Sequence, residues 1–230
     1  MRWIDRGPEP VGVQRYARQF TQGWVEYFRN RVGERPSDSY WREFRELLGS
    51  RSGNICWYCE RLCLLDADEA GKAPTVDHFR PLSRNPELAY QWVNWIFSCR
   101  RCNGENKQGK WPASGYVDPS AADVQERPEQ YLDYDAETGD IIPKAGLSSE
   151  ARERALRTID DLGLNKLDVR FYRLDWTRRF IADWQSLPDI DRPAFAEFST
   201  RIGLEFVGAT LMTVRHLQES PWHWHSQLPK

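Results

Sequence analysis

The sequence predicts an α+β fold, mostly helical, with a small centre embedded in a helical body. Three observations lead there. Apolar side chains recur at helical spacing towards both ends of the chain. Two Cys-x-x-Cys pairs, Cys56 with Cys59 and Cys99 with Cys102, bracket the middle. Short β-prone runs bounded by turn residues lie between and just beyond those pairs. The pattern divides the chain into an N-terminal helical segment (1–50), a core (51–115), a turn-rich acidic segment with a hairpin (116–147) and a C-terminal helical segment (148–230).

Taken in order, residues 1–10 read as irregular, with Gly7-Pro8 and Pro10 as breakers. Over 13–32, Tyr16, Phe20, Trp24, Tyr27 and Phe28 share a helical face, and Gly33 is a stop. Ser37 or Asp38 is placed to cap a second helix carrying Tyr40, Trp41, Phe44, Leu47 and Leu48, ending at Gly49. Such aromatics could form a nucleic-acid platform, but their regular spacing reads as a face packed on the core. The first cysteine pair belongs on a turn. Residues 75–79 read as a short strand, and 91–97 as the start of a helix or an ordered loop. Residues 131–134 and 140–143, joined across Glu137-Thr-Gly139, read as a hairpin. Ser148 or Ser149 caps a helix to Leu162. A second helix covers 165–184, and a third, opened by Asp191 and Pro193, runs to about Leu217. The tail, with His223 and His225, reads as exposed.

Hydrophobic residues make up 40% of the 230 and charged residues 29%, as in an ordinary globular protein. No apolar run reaches the ~20 residues of a membrane span. The opening Met1-Arg-Trp-Ile-Asp-Arg6 lacks the apolar core of a signal peptide. The expectation is a cytoplasmic protein with no membrane partner. A net charge of −2 argues against a simple high-affinity nucleic-acid binder. The charge is uneven, however. Residues 115–146 hold two basic side chains against eight acidic ones, so the remainder is net basic and a basic working face is compatible with the total.

Five cysteines, four of them in two tight pairs, do not make a secreted disulfide framework. In a reducing compartment such pairs favour metal. Cys56, Cys59, Cys99 and Cys102 supply the four thiolates of a tetrahedral zinc site, which has no open position and is therefore structural. Its binding energy is folding energy. Cys63 is left over and reads as a buried thiol or loop residue.

Between the pairs stand Val76-Asp77-His78-Phe79-Arg80-Pro81-Leu82-Ser83 and Asn94-Trp95, and Asn103 follows Cys102. Phosphodiester hydrolysis needs a base for water, a cation for the phosphate, and both in register. A neutral histidine is a natural base near pH 7. Asp and Asn offer oxygen ligands to a hard cation. Singly, each residue has a plain structural role: Asp77 and His78 as a surface ion pair, Asn94 as a cap, Asn103 as a left-handed turn residue. In this order inside the cysteine pairs, they point to a reaction site.

Residues 56–107 resemble the HNH endonuclease motif in its zinc-stapled form, over about a quarter of the chain. The resemblance implies a zinc-bound ββα-metal centre embedded in the helical body. It implies His78 as general base, Asp77 and Asn103 as ligands of Mg²⁺ or Mn²⁺, and Asn94 as the residue that orients the histidine across the loop. Arg80 and Lys107 would contact phosphate. The family often has His where this chain has Asn103, which still offers an oxygen. The products would be a 5′-phosphate and a 3′-hydroxyl, and loss of any of Asp77, His78, Asn94 or Asn103 would spare the fold. More widely, the Asp-His-Phe-Arg-Pro wording and helical flanks resemble the HNH subunit of Septu-type anti-phage defence systems. That implies a DNA substrate, an ATPase partner, for which the aromatic-rich end helices are a candidate docking surface, and a homo-oligomer or larger complex where both strands are cut. The alternatives are a zinc-binding interaction module with an inactive site, and an RNase or tRNase with the same chemistry.

Overall fold

The α-helices among the described residues are α1 (Val11–Val25), α2 (Arg45–Ser50), α3 (Pro128–Tyr131), α4 (Ser149–Asp161), α5 (Leu167–Ser186) and α6 (Val207–Glu219). The structure is a computed structural model and describes residues 1–36, 40–63, 70–186 and 205–219. β1 (Pro74–His78) pairs antiparallel with β2 (Trp95–Cys99), and β3 (Leu132–Tyr134) with β4 (Ile141–Pro143). A π-helical turn, Arg101–Lys107, follows β2 directly and completes a ββα run in the middle of the chain. An isolated two-stranded hairpin is marginal in water, so this run depends on what covers it. Among the described residues no helix is long and apolar enough to cross a membrane.

The N-terminal segment is one cover. Phe20 stacks on Tyr40 at 4.3 Å and Trp41 meets Tyr90 at 5.6 Å, so the aromatic face packs inward as its spacing suggests. Trp24, Trp57, Tyr58, Tyr90, Trp95 and Phe97 are buried in one contiguous core that joins this segment to the ββα run. Each such ring removes roughly 150–250 Å² from water, which at ~25 cal/mol/Å² is about 4–6 kcal/mol before entropy is counted. Residues 1–10 are irregular but not peripheral. Ile4 N–H donates to Pro119 O at 2.8 Å. The Arg6 guanidinium donates to Trp92 O at 3.1 Å and also to Trp95 O and Ser120 Oγ. Burial pushes its pKa down to about 10.

The C-terminal helices form the other cover. Ser148 Oγ accepts from Ala151 N–H at 3.2 Å and caps α4. The Asn165 amide brackets Ile141, accepting from its N–H and donating to its carbonyl, each at 2.8 Å, and so docks the β3–β4 hairpin on the start of α5. Asp168 on α5 reaches Arg61 at 3.1 Å and also Arg101, which ties α5 to both cysteine turns.

The structure departs from the sequence expectations at four places. α1 ends at Val25 and widens into a π-helical turn, Glu26–Asn30, and Arg31 stops it at φ 57° ahead of Gly33. The second helix starts as a 3₁₀ turn, Tyr40–Phe44, and its expected cap lies outside the described residues. Gly49 is a point of close approach rather than a stop: a Cβ there would meet the Phe97 ring at 2.9 Å and Asn54 Oδ1 at 2.5 Å. Residues 91–97 hold one 3₁₀ turn, Trp92–Asn94, and then the strand β2. All five residues of β2 are buried, so the polar–apolar alternation that announces a strand is missing. The expected start of the last helix and the His223–His225 tail lie outside the described residues.

Candidate metal centre and active site

The first cysteine pair sits on a tight turn. Glu60 N–H donates to Cys56 O and Cys56 N–H to Arg61 O, both at 2.9 Å, and Glu60 takes a left-handed φ of 60° to close it. Trp57 N–H donates to Phe97 O at 3.0 Å and fastens the turn to β2. Cys99 ends β2, and Cys102 follows in the π-helical turn. The four sulfur atoms lie within 4.8 Å of one another, all buried, and Cys59 and Cys99 approach to 3.8 Å. All five cysteines are free thiols, and Cys63 stands outside the cluster. Hydrogen bonds from Cys102 and its neighbours hold Cys59 well below the usual thiol range, while burial pushes Cys56 up. Four buried thiols at this spacing cannot all ionise without a cation among them. A soft tetrahedral set of this kind fits zinc.

β1 runs from this cluster towards the reaction residues. Its register places Pro74 opposite Cys99 and His78 opposite Trp95. At ~3.3 Å per residue the two ends are about 13 Å apart. Successive strand residues face opposite ways, so Asp77 and His78 meet different partners. Asp77 Oδ2 accepts from the Tyr58 hydroxyl at 2.7 Å, and Lys107 Nζ reaches both carboxylate oxygens, at 3.0 and 2.8 Å. Burial and the Asp77 charge push the Tyr58 phenol well up, so it stays an O–H donor. Lys107 also donates to His78 O at 2.7 Å and is 1% exposed. It therefore forms the floor under Asp77 and His78.

His78 is 8% exposed. Its Nε2 lies 2.9 Å from Ala89 O, and a carbonyl can only accept, so Nε2 carries a proton; in the neutral form of the ring the lone pair is then on Nδ1. Trp95 Nε1 donates to the same carbonyl at 2.9 Å. Asn94 secures the loop that presents it. Asn94 Oδ1 accepts from Arg80 N–H at 2.8 Å, and its Nδ2 donates to Arg80 O at 3.1 Å and Leu88 O at 3.3 Å. One amide thus ties the residues after His78 to the residue before Ala89.

Asp77, His78, Asn103 and Lys107 border one cavity of ≈ 550 Å³. Asn103 Nδ2 donates to Thr75 Oγ1 at 3.1 Å, which leaves its oxygen as the end that can serve a cation. Asp77 and Asn103 offer oxygen only, a donor set that suits Mg²⁺ or Mn²⁺. Arg80 goes elsewhere: its guanidinium lies over the Trp111 ring at 5.9 Å and borders a second cavity of ≈ 520 Å³. The sequence expectations did not place Tyr58, Trp41 or the Ala89 carbonyl at this site. Tyr58 stands inside the first Cys-x-x-Cys turn, and that position was the one available signal for it.

Lys107→Met keeps the stem and deletes the ammonium, stranding a buried carboxylate. The expected result is a loss of about 3–5 kcal/mol in unfolding free energy, read from urea melts, with zinc content retained. A melt unchanged from the parent would mean that the pair contributes nothing.

Residues 56–109 match the family model described as HNH endonuclease. The chain is also similar to the Septu protein PtuB of Bacillus thuringiensis, 31% identical over 121 residues, which are 53% of this chain and 40% of that protein. The match thus spans less than half the length of that relative. The segment that carries both cysteine turns, Asp77, His78, Asn94 and Asn103 is therefore HNH-like by family model, within a chain that resembles a Septu protein over about half its length.

Proposed function

We propose that the chain is a metal-dependent HNH endonuclease that hydrolyses DNA phosphodiester bonds and acts in anti-phage defence with a partner ATPase. The observation that carries this reading is the setting of His78. Its imidazole is held through Nε2 by Ala89 O, in one cavity with the oxygen donors Asp77 and Asn103.

In the reaction, His78 Nδ1 takes a proton from water. The water oxygen forms a bond to phosphorus as the bond from phosphorus to the 3′ oxygen breaks. The 3′ oxygen takes a proton from solvent, leaving a 3′-hydroxyl and a 5′-phosphate. Asp77 and Asn103 would hold the divalent cation, which supplies charge neutralisation at the phosphate. Asn94 is a positioning residue: it fixes the loop whose carbonyl sets the histidine tautomer. The zinc cluster would hold the two cysteine turns together and so fix β1 against β2. The net charge of −2 is consistent with delivery to substrate by a partner.

An interaction module with an inactive site is the second reading, and the Lys107 ammonium already on Asp77 is the observation that favours it. Purified chain, alone and with a candidate partner ATPase, is incubated with supercoiled plasmid, single-stranded DNA and tRNA in Mg²⁺ or Mn²⁺. Nicked or linear plasmid that disappears with chelator is the expected result. Cleavage of tRNA alone would move the substrate to RNA, and no cleavage under any condition would leave the binding module.

A further inference from the structure

Asp77 is held by one donor from each half of the cysteine cluster. Tyr58 stands between Cys56 and Cys59 on the first turn, and Lys107 ends the π-helical turn that carries Cys102. The two donors are not equivalent. Lys107 Nζ sits 3.0 Å from Oδ1 and 2.8 Å from Oδ2 and barely tells them apart. Its ammonium is a point charge on a flexible stem. The Tyr58 hydroxyl donates to Oδ2 alone, at 2.7 Å.

Tyr58 is also the more firmly seated of the two. Its ring is rigid and fully buried. The residue before it, Trp57, donates its N–H to Phe97 O at 3.0 Å, next to Ile96, the β2 partner of Asp77. The hydroxyl therefore stays in place if the carboxylate rotates, and rotation breaks the bond. A carboxylate oxygen accepts about two hydrogen bonds. Oδ2 already faces the hydroxyl and the ammonium, whereas Oδ1 faces the ammonium alone. Oδ1 is thus the oxygen with capacity left for a cation.

We propose that Tyr58 is a positioning residue for the reaction: its hydroxyl fixes the rotation of the Asp77 carboxylate so that Oδ1 serves the divalent cation. The cysteine turn that holds zinc thereby sets the aim of the neighbouring cation ligand. The link to cutting rests on the nuclease reading above; the effect on cation binding does not.

The test is Mn²⁺ binding by the zinc-loaded full chain, read by electron paramagnetic resonance of the free ion. Asp77→Asn marks which part of the binding belongs to this site. A hydrogen-bond partner of a ligating carboxylate is worth about 10–100-fold in metal affinity. Tyr58→Phe keeps the ring and should weaken the Asp77-dependent binding roughly 10–100-fold, with zinc content at the parental value. 4-Aminophenylalanine incorporated at Tyr58 returns an N–H donor and should restore the affinity. Tyr134→Phe removes another buried hydroxyl bond, with Thr177 Oγ1 at 2.8 Å on β3, and is the control for lost stability alone. It should lower the thermal melt and leave Mn²⁺ affinity unchanged. In nicking assays Tyr58→Phe should raise the Mn²⁺ concentration for half-maximal rate by the factor seen in binding, with the rate at saturation largely kept. Parental Mn²⁺ affinity in Tyr58→Phe, or an equal loss in Tyr134→Phe, makes Tyr58 a core residue only and overturns the proposal. A parent with no Asp77-dependent Mn²⁺ binding overturns it together with the cation site. A Tyr58-dependent Mn²⁺ site in a protein that cuts no nucleic acid would remove the nuclease reading and leave the positioning role standing.

Discussion

Cys59→Ser is expected to abolish zinc binding and unfold the centre of the chain. Cys59 approaches Cys99, from the opposite turn, to 3.8 Å, and all four thiols are buried. A structural zinc contributes an apparent ~10–16 kcal/mol in small peptides, as much as or more than the ~5–15 kcal/mol by which a whole domain is stable. Removing one thiolate also leaves three buried thiols without the cation that offsets their mutual repulsion. The effect reaches beyond the cluster, because the Trp57-to-Phe97 bond and the Arg61 and Arg101 contacts to Asp168 all radiate from the two turns. Metal analysis should show no bound zinc, and near-ultraviolet circular dichroism should lose the signal of the buried tryptophans. A strong chelator should do the same to the parent protein, whereas Cys63→Ser should keep its metal. A Cys59→Ser protein that binds zinc and melts like the parent would end the structural-zinc reading.

His78→Ala is expected to reduce cutting by ~10²–10⁴-fold or more, the usual contribution of a positioned general base, with the fold kept. The His78 ring donates to Ala89 O, and Trp95 Nε1 still satisfies that carbonyl when the imidazole is gone. Zinc content should be unchanged and the loss of stability small. Plasmid nicking rates under saturating Mn²⁺ read the effect. Cutting at the parental rate would transfer the base to another group.

Asn94 behaves differently. Its amide satisfies Arg80 N–H, Arg80 O and Leu88 O at once. Asn94→Ala leaves these groups without their partner at a largely buried site, at about 1–3 kcal/mol for a stranded group. The sequence expectation that losing any member of the set spares the fold is therefore not extended to Asn94.

Residue chemistry that repeats at short range was legible in the sequence. The two cysteine turns, the Asp77–His78 pair, the β3–β4 hairpin and the Ser148 cap each carry their signal within a few residues. What escaped depends on long-range packing. β2 is buried on both faces, so its period is silent. Lys107, expected at the phosphate, is brought under Asp77 only by the fold, and lysine is rarely buried. Trp41 meets the His78 ring across more than thirty residues of chain. Nothing local marks it.

The Arg6 clamp bears on portability. Arg6 reaches the Trp92 and Trp95 carbonyls from a segment far outside residues 56–109, and Trp92 Nε1 returns the contact to Gly7 O at 3.1 Å. The unit that can be recognised by comparison is thus smaller than the unit that can fold. Residues 51–115 expressed alone should collect in inclusion bodies or bind a hydrophobic dye even with zinc supplied, and adding residues 1–50 should restore a cooperative melt. Grafting the recognisable piece onto another scaffold would leave its keystone behind.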